Sequence, residues 1–343
     1  MRSLKRIIVG TLANCGGPAL SYGLMMGRAT VFMLHRFDCP EAGVHGHDLR
    51  ILRSALAYLR RKRYELVSLR ELYARLASGA QSIRGAVAFT IDDGYFDHAQ
   101  VASPLFAEFD CPVTTFVTTG FLDKKLWFWW DQIEHIFESA NLPNISVTIG
   151  STNLRYEMAG LDRRTQGKID FTNFCKGLKT EDRHVAIARL AGAAEIDIPQ
   201  IPPQRYAPMT WDALRAAEKK GMEFGPHTVT HPILAQSSDE QVAAEVAQSW
   251  DRLQHEAQNP VPIFCYPNGQ FSDFSGREIV LVRQAGMLGA VSGEPGYFYK
   301  DSIRQDPDEA FRVRRFSFPD EMTDLTQYVS GIERAKQILR GEV

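Results

Sequence analysis

Short apolar runs alternate with longer amphipathic stretches along most of the chain. Ala29–Leu34 (ATVFML) and Gly85–Ile91 (GAVAFTI) are apolar runs of strand length, and Pro112–Thr119 (PVTTFVTT) is rich in β-branched residues. Between them, Leu49–Tyr64 carries apolar residues at helical spacing with a basic outer face. A short strand then leads into Ser68, the N-cap of a helix predicted to end near Gly79, and another helix is predicted around Ala99–Phe109. The pattern returns at Met209–Gly221, a helix with Thr210 as N-cap and Gly221 as its stop. A short strand (MEFG), a long helix over Asp239–Ala257, a strand over Val261–Pro267 and a helix closed by Gly286 follow. LGAVSG and FRVRRFS read as late strands. Strand–helix alternation at this spacing predicts an α/β fold with a mostly parallel sheet, open or closed into a barrel.

One stretch departs from the alternation. Phe121–Gln204 opens on the aromatic-rich LWFWWDQIEHIFESA and reads as an insertion. The cluster Leu126–Trp130 suits either sugar stacking or packing, and packing is favoured because all of these residues cannot face solvent. The expected organisation is an N-terminal segment, 1–28, and a single domain, 29–343, with an insertion at about 121–204.

Composition narrows the class. The chain has 343 residues, a net charge of −2 and 44% hydrophobic residues, as a soluble globular protein with a sizeable core does. Near-neutral charge gives no case for nucleic acid. Five scattered cysteines without a CxxC pair argue against a disulfide framework and a cysteine zinc site, and Cys265 reads as a reduced, structural thiol. The N-terminus is basic (MRSLKR) and then uncharged from Ile7 to Gly27, but Asn14, Gly16, Gly17, Pro18 and Ser21 make it a poor transmembrane span. A helix lying on the protein or on a membrane surface is favoured over a cleaved signal. The expected location is cytoplasmic with peripheral membrane contact through this segment, the alternative being export.

Parallel sheets place their sites at the C-terminal ends of strands. His35, Asp92–Asp93, His227 with His231, and Tyr266-Pro267-Asn268-Gly269 all stand at such ends. An isolated Asp-Asp-Gly is most simply a turn, with Gly94 supplying positive φ. The functional alternative divides the labour. One carboxylate binds a cation, which relieves the repulsion on the other and leaves it free to act as a base. HTVTH has i, i+4 spacing, yet three β-branched residues and Pro232 disfavour a regular helix, so the imidazoles are expected on a loop or single turn. Two histidines and a carboxylate suit zinc hydrolysis or non-haem iron chemistry.

FTIDDGY, MEFGPHTVTHPIL and FCYPNG, in this order, resemble the motifs of the polysaccharide deacetylase family over roughly His35 to Phe316, apart from the insertion. The resemblance implies a distorted (β/α) barrel of the polysaccharide deacetylase type with an inserted segment, and metal-dependent hydrolysis of an N-acetylated glycan. Asp93, His227 and His231 would hold a divalent metal, zinc first, with cobalt, nickel or iron accepted by the same ligands. Asp92 would be the base. A backbone N–H near Asn268 would serve the oxyanion, and Tyr95, Tyr266, Pro267 and Arg314 would contact substrate or oxyanion.

Two features depart from the family pattern. No arginine precedes Tyr266-Pro267-Asn268-Gly269 to tune the base, and FRVRRFS holds Arg312, Arg314 and Arg315 where a histidine would protonate the leaving amine. His35 is the candidate acid, the alternative being that protonated Asp92 returns its proton. A cyclic amide or ureide hydrolase on the same fold, and a carbohydrate-binding protein without turnover, are the rival readings.

Overall fold

The computed structural model describes residues 23–78 and 83–341. The N-terminal membrane-surface helix expected within residues 1–28 falls mostly outside these residues, as does the helix end near Gly79. The chain divides into two compact units, residues 1–123 with 208–343, and residues 124–207.

The strands are β1 (Arg28–Leu34), β2 (Ala86–Ile91), β3 (Val113–Val117), β4 (Asn144–Ile149), β5 (Thr152–Glu157), β6 (Met222–Pro226), β7 (Ile263–Cys265), β8 (Gly289–Val291), β9 (Phe298–Tyr299) and β10 (Phe316–Ser317). In the first unit β10-β1-β2-β3-β6 form a parallel sheet, with Phe32 opposite both Phe316 and Phe89, and β9 pairs antiparallel with the start of β1. β7 and β8 form a second parallel pair. Isolated parallel bridges, Phe224 to Pro260 and Val291 to Val313, link the two ladders on both sides. The strands therefore run round a ring whose ladder narrows to isolated bridges at two places, a distorted (β/α) barrel.

Every residue of β2 and β3 is buried, which explains their unbroken apolar or β-branched sequences. The helix Leu49–Arg61 starts where the Asp48 carboxylate accepts the Arg50 N–H, and it buries Leu52, Ala55, Leu56 and Leu59. Ser68 accepts the Glu71 N–H and Thr210 the Ala213 N–H, so both expected caps form.

Some elements are shorter than their patterns suggest. Val261–Pro267 is strand only at Ile263–Cys265, because Pro260, Pro262 and Pro267 have no N–H for a ladder. The helix expected around Ala99–Phe109 begins as a wide π turn at His98–Ala102 and is α-helical only from Ser103 to Glu108. Pro104 accounts for this, since it cannot donate to residue 100 and its ring crowds that carbonyl.

The second unit packs the helices Trp129–Ser139, Leu161–Lys176 and Thr180–Ala193 with the antiparallel hairpin β4–β5. Ile133, Ile136, Phe137, Phe171, Ile187 and Leu190 fill its core. Trp127, Phe128 and Trp129 are buried, so this part of the aromatic cluster packs inward.

Candidate metal and catalytic site

Asp92 follows the last residue of β2, and its N–H bonds the Leu34 carbonyl oxygen at the end of β1, 3.0 Å. The sheet's own ladder thus carries the residue to the strand ends. Asp93 and Gly94 both adopt positive φ, 91° and 99°, and turn the chain sharply. An added Cβ at Gly94 would meet Leu122 Cδ1 at 2.7 Å, so this position needs glycine for space as well as for φ.

The two neighbouring carboxylates face different partners. Both oxygens of Asp92 accept from Arg315, Nη1 to Oδ1 and Nη2 to Oδ2, each at 2.8 Å. Arg315 also donates to Thr90 Oγ1 (2.9 Å) and to the Ser292 carbonyl oxygen (2.8 Å), and its side chain is fully buried. Burial alone would raise the Asp92 carboxyl, but the charge and hydrogen bonds of Arg315 outweigh it and hold the group well below the usual carboxylate range. The Cys265 thiol stands 3.5 Å from Asp92 Oδ2, and burial pushes its pKa well up, so it is a neutral neighbour.

Asp93 Oδ1 lies 3.7 Å from His227 Nε2 and 3.6 Å from His231 Nε2. These separations are too long for direct hydrogen bonds. They are close to the roughly 3.4 Å expected between donors sharing one tetrahedral cation at about 2.1 Å. His227 Nδ1 donates to the Cys265 carbonyl oxygen at 2.7 Å, which leaves Nε2 as the acceptor facing Asp93. Burial lowers the pKa of both imidazoles, His227 to about 4 and His231 well below the ordinary value. Neutral rings, a fixed tautomer and one carboxylate together fit a divalent metal. Asp92, His227 and Cys265 also lie close enough to share an ion, but Arg315 occupies that carboxylate and stands 3.3 Å from the thiol, so a cation there meets a guanidinium.

The histidines sit on a loop, as Pro232 and the β-branched run imply. Thr228 and His231 have positive φ, 65° and 59°, and the His231 N–H bonds Thr228 Oγ1 at 2.9 Å. Glu245, on the helix Asp239–Glu256, clamps this loop through the N–H groups of Val229 (2.7 Å) and Thr230 (2.9 Å) and the Thr230 hydroxyl.

His35 Nε2 is 3.9 Å from Asp92 Oδ2, and its side chain is 47% exposed, so it lies at the mouth beside the buried carboxylate. Asn268 is exposed with φ 58°, and its N–H makes no hydrogen bond among the described residues. Pro267 beside it is buried. The other expected contacts lie elsewhere. Tyr95 is buried with Phe121 and Arg36 on its ring. Tyr266 is buried and stacks on Phe274 at 3.8 Å, a core contact. Arg314 is exposed and lies over the Phe271 ring. The arginine at the base is its neighbour Arg315, and the sequence reading missed both Arg315 and Glu245.

Residues 165–287 match the family model described as polysaccharide deacetylase, a span that includes His227, His231 and the Tyr266–Gly269 turn. No curated protein sequence gives a significant match. Among solved structures, the fold is similar to Streptococcus pyogenes deacetylase PplD in complex with acetate (TM-score 0.56, 16% identity, 88% of this chain and 98% of that one). It is also similar to IcaB from Ammonifex degensii (TM-score 0.56, 16% identity, 89% and 97%). A de-N-acetylase from Aggregatibacter actinomycetemcomitans aligns with TM-score 0.52, 15% identity, 86% and 96% coverage. Residues 165–287 thus match the polysaccharide deacetylase family model, and the fold of the chain is similar to that of solved deacetylases.

Proposed function

We propose that the protein is a metal-dependent hydrolase that removes N-acetyl groups from an amino sugar in a polysaccharide or glycan precursor. The observation that carries this reading is the division between two adjacent carboxylates, Asp92 locked on Arg315 and Asp93 facing two histidine nitrogens. The family match supports the same reaction class, and the description of one structural neighbour as a de-N-acetylase supports the amide as the bond broken.

Asp93, His227 and His231 would hold the metal. When bound, such an ion polarises the acetyl carbonyl and lowers the pKa of a nearby water. Asp92, kept ionised and oriented by Arg315, would take the proton from the attacking water. The Asn268 N–H would donate to the oxyanion that develops at the carbonyl. His35, half-exposed beside Asp92, would give a proton to the departing amine, so that acetate and a free amino sugar leave. Buried Cys265, beside Asp92 Oδ2, keeps that side of the base away from bulk water.

The test is acetate release from N-acetylglucosamine oligomers, with and without chelator and again for Asp92→Asn, beside ring opening of small ureides. Acetate release abolished by chelator and by the variant supports the reading. Ureide opening without acetate release moves the protein to the cyclic-amide class, and metal binding without either reaction makes it a glycan binder.

A further inference from the structure

A cavity of about 220 Å3 opens beside Arg28, the first residue of β1, at the opposite end of that strand from His35. Its lining holds four arginines, Arg28, Arg312, Arg314 and Arg334, and one carboxylate, Glu309. Glu309 lies 3.4 Å from Arg312, which is also 3.7 Å from Asp306 and 3.9 Å from Asp308, so Arg312 is already neutralised. The other three have no carboxylate within ion-pair distance among the described residues.

These three cations are held by groups that leave their charge uncompensated. Arg28 lies over the Tyr299 ring at 3.8 Å and donates to the Met26 carbonyl oxygen at 3.1 Å. Arg314 lies over Phe271 at 5.0 Å and passes so close to Gly296 that a Cβ there would stand 2.5 Å from its Cδ. Arg334 is half-buried, and its pKa is lowered first by that burial and then by the positive charge of Arg28. Like charges facing one concavity raise the local potential and repel one another until an anion enters.

We propose that this cavity binds a phosphate group, held by Arg28, Arg314 and Arg334. Guanidinium forks match phosphate and carboxylate oxygens alike. Three unpaired cations match the −1.5 to −2 charge of a phosphate monoester, about −1.5 to −2 at neutral pH, better than the single charge of a carboxylate. The volume lies below the roughly 300–1,000 Å3 of pockets that enclose whole drug-sized ligands, so the site takes a charged group and not a glycan segment. Free phosphate and the monoester headgroup of phosphatidic acid present the same chemistry. The proposal is independent of deacetylation, because binding is read without turnover.

The test uses the full chain. Inorganic phosphate binding is measured by calorimetry and by Tm against sodium chloride at matched ionic strength. Sedimentation with phosphatidic acid vesicles is compared with phosphatidylcholine vesicles. Arg314→Gln with Arg334→Gln is set beside a charge-matched control, Arg53→Gln with Arg60→Gln. Losing two charge-assisted bonds is expected to weaken binding by at least about tenfold, with the control unchanged. A response to free phosphate supports a soluble ligand, and a response to phosphatidic acid alone supports a headgroup. No response above chloride and phosphatidylcholine, or equal weakening in the control, overturns the proposal.

Discussion

Arg315 and Asp92 form a two-bond, fully buried ion pair between residues 223 positions apart. Removing one partner of such a pair strands the other as an uncompensated charge. Arg315→Met is expected to lower stability by about 3–5 kcal/mol and to abolish most acetate release. Adding Asp92→Asn to that variant should recover much of the stability and none of the activity. Denaturant midpoints for the single and double variants check this, and additive losses would mean that the two residues do not act as a pair.

Metal content separates the two carboxylates. Asp93→Ala with His227→Ala should lose the bound metal in elemental analysis, whereas Asp92→Asn should keep it while losing activity. Retention of metal by the first variant would remove Asp93 and His227 from the ligand set.

Glu245 is expected to act on the site without touching it. Two bonds to backbone N–H groups and one to the Thr230 hydroxyl hold the loop between His227 and His231, so Glu245→Ala should weaken metal affinity by about 10–100-fold, the range typical of groups that orient ligands. A competition titration with a chromophoric chelator reads the change directly.

Gly94→Ala meets two obstacles, a backbone at φ 99° and the Leu122 side chain. The substitution should cost about 1–3 kcal/mol, seen as a lower Tm. Adding Leu122→Ala relieves only the contact, so it should not restore wild-type stability.

His98 makes the fold acid-sensitive. The ring is fully buried and bonds the His35 carbonyl oxygen; burial, with Arg36 adding to it and Asp97 opposing, lowers its pKa to about 4. A histidine depressed in the folded state is protonated more readily when unfolded, so its contribution is complete above about pH 6.5 and is lost as pH falls toward 4. The loss is up to about 3 kcal/mol. Denaturation curves across this range should flatten in His98→Gln relative to the parent, and identical pH profiles would contradict the assignment.

Much of this arrangement was legible from strand ends. Each of His35, Asp92, Asp93 and His227 follows a strand whose buried pattern is plain in the sequence, and parallel ladders bring those ends together. The position of the arginine at the base was not legible. Alternation counted from buried Val313 points Arg315 inward, whereas counting from buried Phe316 points Arg314 inward, and both Arg315 and Phe316 are in fact buried. Tyr266 was misread for a related reason. The strand ends at Cys265, and the chain then turns the ring onto Phe274, a contact that no local pattern encodes. Glu245 stands on a polar helix face, where a clamp and a solvated carboxylate look alike in sequence.

The long separation between Asp92 and Arg315 has a consequence for biosynthesis. At roughly 5–20 residues per second, Asp92 is made about ten to forty-five seconds before the arginine that neutralises it. During that interval the nascent carboxylate has no internal counter-charge and has reason to remain hydrated. Burial of the base and joining of β10 to β1 should therefore occur together, only after Arg315 has been made, and the site would acquire its chemistry no earlier than that.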